Sequence, residues 1–168
     1  WGAAAHSLLL SAEDNYNVAK RKDLAAADFN GDGVVDLKSE YVFAHAYYAS
    51  SFDKGGKTTY LADITRAFLD GRKLITSANG EALTDSSRAQ LMAHVDDIST
   101  NWEKVIAESV FKYAGSTYKS LVALEDVSNE DLSKEFSNYM KYWGELKGFS
   151  MALQVGKNNI GETATKLN

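Results

Sequence analysis

The sequence predicts an all-α protein built as an antiparallel helical bundle, and three observations predict it. Apolar residues recur at steps of three and four along most of the chain, the spacing of one helix face. No run of useful length alternates apolar and polar residues as a half-buried strand does. The 168 residues contain no Pro, where average usage gives about eight, so nothing forces long helices to break.

Length and composition set the frame. A chain of 168 residues is read as a single helical domain over 1–168, large enough to bury a core. A net charge of −5 argues against a nucleic-acid binder, whose footprint is a basic excess. No apolar run reaches the eighteen or so residues of a transmembrane segment. The absence of Cys excludes disulfides, thiolate metal sites and a cysteine nucleophile. The chain opens on Trp1 without a basic-then-apolar leader, so a targeting segment is expected to have been removed.

In chain order, Gly2 to Ala27 is Ala-rich and reads as two helical pieces divided near Asp14-Asn15. Leu37 to Phe52 places Leu37, Tyr41, Ala44, Tyr48 and Phe52 on one face. Thr58 to Ile75 does the same with Leu61, Ile64, Phe68 and Ile75. The stretch from Thr84 to about Leu121 carries Leu91, Val95, Ile98, Trp102, Val105 and Ser109, continuing through Val110 and Tyr113. Gly115 is expected to end or bend it. From Ser128 to Val155 the seam is Leu132, Phe136, Tyr139, Trp143, Leu146, Ser150 and Leu153, with Ser128 and Asp131 placed as a capping start. Breaks are expected at Gly55-Gly56, Asn79-Gly80 and Glu125 to Asn129. Residues 156–168 lose periodicity and read as an irregular tail. No internal repeat is found.

One motif carries chemistry. Asp28-Phe-Asn30-Gly-Asp32-Gly33-Val34-Val-Asp36 follows the calcium-loop pattern of oxygen-bearing residues at alternate positions, then Gly. A hard cation such as Ca²⁺ takes six to eight oxygens, and alternate residues of a tightly wound loop turn inward. Asp28, Asn30 and Asp32 would supply side-chain oxygens, Val34 its carbonyl, and Asp36 a direct or water-mediated ligand. Gly33 suits the left-handed turn. Without an ion, the carboxylates would repel one another. The helical flanks make the segment, 28–40, an EF-hand-like helix–loop–helix.

The twelfth position, where a bidentate Glu closes such loops, is Ser39, and Glu40 follows one residue later. Binding weaker than in an intracellular sensor is therefore expected, with Glu40 the candidate closing ligand. The loop also resembles those of β-propellers and dockerin modules. The first needs strand flanks and the second a duplicated segment, and neither is found. A lone loop suits a structural staple rather than a switch.

Weaker constellations are few. His94 and Asp97 are spaced to share a helix face, His45 lies near an aromatic stripe, and His6 stands alone in sequence. No metalloprotease His pair, nucleophile elbow or phosphate loop occurs. Gly144 and Gly148 share a helix face beside Glu145. A glycine inside a helix costs about 1 kcal/mol against Ala, so a close approach is expected there, by a neighbouring helix or a ligand. Asp70-Gly71 has the same character.

The segments Ala67-Phe-Leu-Asp-Gly-Arg-Lys-Leu-Ile75, Asn101-Trp-Glu-Lys-Val-Ile106 and Tyr142-Trp-Gly-Glu-Leu-Lys-Gly-Phe149 resemble an imelysin-like family of bacterial envelope lipoproteins, over about residues 58 to 155. The resemblance implies a helical bundle, a place outside the cytoplasm (periplasm, outer-membrane surface or secreted) and an association with iron uptake. Relatives carry Gly-x-His-x-x-Glu as a candidate metal or peptidase motif. Here Glu145 is kept, but Tyr142 stands where the His belongs. Without the imidazole, peptidase activity and iron binding at this spot are not expected.

The sequence thus points to a calcium-stapled binding or structural module and not an enzyme. The alternatives are an imelysin-type protein holding iron or another transition metal near Glu145, and a subunit that associates with itself or an envelope partner.

Overall fold

The computed structural model describes Ala25, Asp28, residues 30–36, Glu40 and residues 44–154. The expected N-terminal helices, Leu37 and Tyr41, Ser39 and the tail 156–168 lie outside the described residues. Four helices follow in order: α1 (Ala44–Asp53), α2 (Tyr60–Ser77), α3 (Asp85–Ala123) and α4 (Leu132–Gln154). Among the described residues there is no strand. The architecture is all-helical, compatible with a helical bundle. Contacts divide the chain into two compact units, Trp1–Trp102 and Glu103–Asn168.

In the first unit α1 packs against α2. Ala46, Tyr48, Ala49 and Ser50 of α1 are buried, as are Leu61, Ile64, Ala67 and Gly71 of α2. The turn between the two helices uses Gly56 at φ 69°, a backbone state that side chains with a Cβ rarely adopt. Thr59, at the N-cap of α2, makes no capping bond with its side chain. Asp53, at the end of α1, replaces it. Its carboxylate accepts the N–H of Tyr60 at 2.9 Å and of Leu61 at 2.7 Å, and the Thr58 hydroxyl at 2.7 Å. A negative charge there also suits the positive end of the helix dipole.

Thr84 starts α3: its Oγ1 accepts the Ser87 N–H at 3.1 Å and its carbonyl the Arg88 N–H at 2.8 Å. The helix runs through Gly115 without a break, which corrects the expectation of a stop there. A lone Gly weakens a helix but does not end one that packs on either side of it. Phe68 of α2 and Trp102 of α3 pack with ring centroids 5.6 Å apart and planes tilted by 59°.

In the second unit Ile106, Val110 and Leu153 form a buried cluster, with Leu146, Phe149 and Ala152 packed against it. Tyr113 of α3 stacks on Phe149 of α4 at 5.7 Å, with rings 9° from parallel. The chain enters α4 as expected, with Ser128 Oγ accepting the Asp131 N–H at 3.3 Å. The predicted seam of α4 is only half used. Ser150 and Leu153 are buried, whereas Leu132, Phe136 and Trp143 are each about half exposed, at 46%, 51% and 46%. The core of this unit gathers on the C-terminal half of α4.

Candidate metal centre

The acidic loop is built on side chains that fold onto their own backbone. Asp28 takes two N–H groups, Gly31 on Oδ1 at 2.8 Å and Gly33 on Oδ2 at 2.9 Å. Asn30 Oδ1 accepts the Asp32 N–H at 2.9 Å, and Asp32 Oδ1 the Val34 N–H at 2.8 Å. Four consecutive N–H groups, from Gly31 to Val34, are thereby turned toward side-chain oxygens. That winding needs left-handed residues, and Gly31 and Gly33 supply them at φ 71° and 82°. The Asx-rich spacing read in the sequence is therefore a sequence of tight turns.

Glu40 completes the arrangement. Its Oε2 accepts the Asp36 N–H at 2.9 Å and its Oε1 lies 3.4 Å from the Asn30 N–H. Its own N–H returns to the Asp36 carbonyl at 2.7 Å. Glu40 is 4% exposed. A residue one place past the usual closing position thus reaches the loop, its N–H bonded back to the Asp36 carbonyl. Val34 is exposed and Val35 is half-buried.

The donor set suits a hard divalent cation: carboxylate and amide oxygens of Asp28, Asn30, Asp32, Asp36 and Glu40, with the Val34 carbonyl. Each carboxylate oxygen that accepts one N–H keeps a second lone pair for an ion. In the structure the side-chain oxygens of Asp28, Asn30, Asp32 and Glu40 accept backbone N–H groups, and the Asn30 amide nitrogen donates to Asp32 Oδ2 at 3.0 Å. Among the described residues no group of three or more His, Asp or Glu side chains converges as a metal site. Ligation would draw the carboxylates inward from this arrangement.

The other singled-out residues fall as follows. His6 and the His45 side chain lie outside the described residues. His94 is half-buried and lines an apolar pocket of about 230 Å³ with Phe68, Gly71, Leu91 and Ile98, whereas Asp97 is exposed. His94 belongs to the first unit and Glu145 to the second. Gly71 is the helical glycine that meets a close neighbour: a Cβ there would stand 3.2 Å from Leu91 Cδ1. At Gly144 and Gly148 the expected close approach is not found; among the described residues a Cβ would meet open space at both. They line instead an open groove of about 490 Å³ with Met140, Lys141, Glu145 and Phe149. Lys141 and Met140 were missed in the sequence, although opposite charges four apart around a helical Gly are a legible signal. No helix among the described residues is long and apolar enough to cross a membrane.

No protein-family model matches the chain, and neither a curated protein nor a solved structure matches it.

Proposed function

We propose that the loop Asp28 to Glu40 binds Ca²⁺ and that the protein is a calcium-stapled helical module, working outside the cytoplasm as a binding or structural part. The observation that carries this reading is Glu40. Its carboxylate bridges Asn30 near the loop's start and Asp36 near its end, which supports a closing role for it. When bound, the ion would supply positive charge beside the carboxylates of Asp28, Asp32, Asp36 and Glu40. The residues would do the rest: Asp28 and Asp32 hold the turns, and Glu40 ties the exit to the entry.

The extracytoplasmic placement rests on the imelysin-like resemblance and on affinity. A closing Glu displaced by one residue suits a dissociation constant on the order of 10⁻⁴ to 10⁻³ M, the range of extracellular calcium modules. The test is calorimetry with Ca²⁺ and with Mg²⁺ on the same sample, beside thermal melting. Heat and a raised Tm with Ca²⁺, both lost in Asp32→Ala, are expected. No heat and an unchanged Tm would remove the proposal. Peptide cleavage that disappeared in Glu145→Ala would replace the module reading with an enzymatic one.

A further inference from the structure

We propose that Asn79 is a site of self-modification: the backbone nitrogen of Gly80 attacks its side chain, which converts in water, without an enzyme, to aspartate and isoaspartate. The inference is independent of the calcium loop's occupancy.

The chain contains two Asn-Gly pairs, Asn30-Gly31 and Asn79-Gly80. In both, Gly leaves the attacking nitrogen uncrowded, and the structure treats the two pairs differently. Asn79 and Gly80 follow α2, are exposed, and are both left-handed, at φ 49° and 87°. The Glu81 N–H closes over them onto the Ala78 carbonyl at 2.9 Å, as in the tight turns for which Asn-Gly is the preferred pair. Among the described residues neither the Asn79 side chain nor the Gly80 N–H makes a hydrogen bond. A Cβ built on Gly80 meets nothing within 4 Å. Ring closure swings the Gly80 nitrogen toward the Asn79 side chain, and the bond that opposes this swing is the one closing the turn.

Asn30 is held at each group the reaction uses. Its Oδ1 accepts the Asp32 N–H at 2.9 Å, and its amide nitrogen donates to Asp32 Oδ2 at 3.0 Å. The Gly31 N–H, on the nitrogen that would attack, donates to Asp28 Oδ1 at 2.8 Å. A carboxylate on that N–H opposes loss of its proton, since the anion left behind would lie against like charge.

At Asn79 the Gly80 nitrogen gives its proton to solvent and bonds to Asn79 Cγ, closing a five-membered imide. The Cγ–Nδ2 bond breaks and the amide nitrogen leaves as ammonia. One water then opens the ring. Breaking the new N–Cγ bond gives aspartate; breaking the original peptide bond gives isoaspartate, with the main chain running through Cγ. Nothing is oxidised or reduced. Either product places a carboxylate just past the C-terminus of α2, where the helix dipole disfavours an anion. Isoaspartate also adds a methylene to the main chain inside the turn.

The test holds the full chain, in chelator, at mildly alkaline pH and physiological temperature, and maps its peptides by mass spectrometry over time. Asn79 is expected to convert about tenfold faster than Asn30, a barrier difference of about 1.4 kcal/mol and the size of the hydrogen bonds that hold Asn30. In urea, with both pairs in unfolded chain, the two rates should converge. The converted segment should accept methyl groups from a protein-isoaspartate methyltransferase, which marks isoaspartate and not aspartate. Aged protein should melt about 1–4 °C below fresh protein, whereas Asn79→Gln, which closes no five-membered ring, should keep its Tm. An Asn79 that stays intact in the folded chain while it converts in urea overturns the proposal. So does an Asn30 that converts as fast as Asn79 in the folded chain.

Discussion

Asp36 and Glu40 hold each other twice: the Asp36 N–H donates to Glu40 Oε2 at 2.9 Å, and the Glu40 N–H donates to the Asp36 carbonyl at 2.7 Å. This reciprocal pair works like a capping box with one extra residue in the turn. It explains how a loop without Glu at its twelfth position still keeps a carboxylate beside its first turns. The same device recurs at Asp53, where a carboxylate outside a helix satisfies that helix's first N–H groups.

Asp53→Ala should therefore lower stability by about 1–2 kcal/mol, because it removes the acceptor for Tyr60 and Leu61 N–H at once. At roughly 2–4 °C per kcal/mol for a chain of this size, melting should fall by several degrees. Thr59→Ala, at the formal cap position, should change little, since the Thr59 hydroxyl donates to Asp63 Oδ2 at 2.8 Å and caps nothing. Equal losses in the two variants would show that Asp53 is not the cap.

The helical glycines separate by what surrounds them. Gly115 is exposed inside α3, with no neighbour within 4 Å of a built Cβ. Gly115→Ala should raise stability by about 0.5–1 kcal/mol through helix propensity alone. Gly71→Ala should gain less or lose, because its Cβ would press on Leu91 Cδ1. Urea denaturation of both variants measures the difference, and equal gains would mean that Leu91 moves aside freely into the adjoining pocket.

The helices were legible because periodicity is a local property that survives in any tertiary setting. Tyr60–Ser77, Asp85–Ala123 and Leu132–Gln154 each begin or end within a few residues of the expected bounds. Burial was less legible. The stripe on α4 reads as one continuous seam, yet Phe136 and Trp143 stay half exposed. Hydrophobicity says which face can be covered, not how far a neighbouring helix extends along it. At the loop, spacing identified Asp28, Asn30, Asp32 and Asp36, and Glu40 was named as a candidate. That its oxygens meet Asn30 and Asp36 depends on the turn after Asp36, which no spacing rule contains. Gly144 and Gly148 signalled a close approach that is not found among the described residues, since a missing Cβ says what a helix face could admit and not what lies against it.

Asp70 gives a pH prediction. A hydrogen bond from Lys73 at 2.8 Å, aided by the positive field of Lys73 itself, His94 and Arg66, holds its carboxyl below the ordinary 3.8. The stabilisation from this pairing is in place above the unfolded value of 3.8 and is lost as pH falls through the lowered one. The pair is exposed, so the effect is small and weakened by salt. Carboxyl NMR should place Asp70 below 3.8, and Lys73→Met should raise it; an unmoved titration would mean that the pair does not persist in solution.

The last prediction separates two roles of Glu40. If Ca²⁺ binds only the folded chain, tenfold excess over Kd adds about 1.4 kcal/mol, or several degrees of Tm. Chelation should remove that increment and leave helical circular dichroism at room temperature nearly unchanged, because the helices beyond Tyr60 rest on their own packing. Glu40→Gln replaces one acceptor oxygen with an N–H₂ donor and removes the charge, while nearly preserving size. In chelator this variant should melt below the parent chain, because the buried side chain no longer satisfies both Asn30 and Asp36. That drop reports the structural role. The rise in Tm on adding Ca²⁺ is a separate quantity, and it should shrink sharply if Glu40 is a ligand. A full calcium increment in Glu40→Gln would leave Glu40 as a strut of the loop and pass the closing position to water or to Ser39. In that case Ser39→Glu, which restores an acidic twelfth position, should tighten calcium binding in the Glu40→Gln background by more than it does in the parent chain.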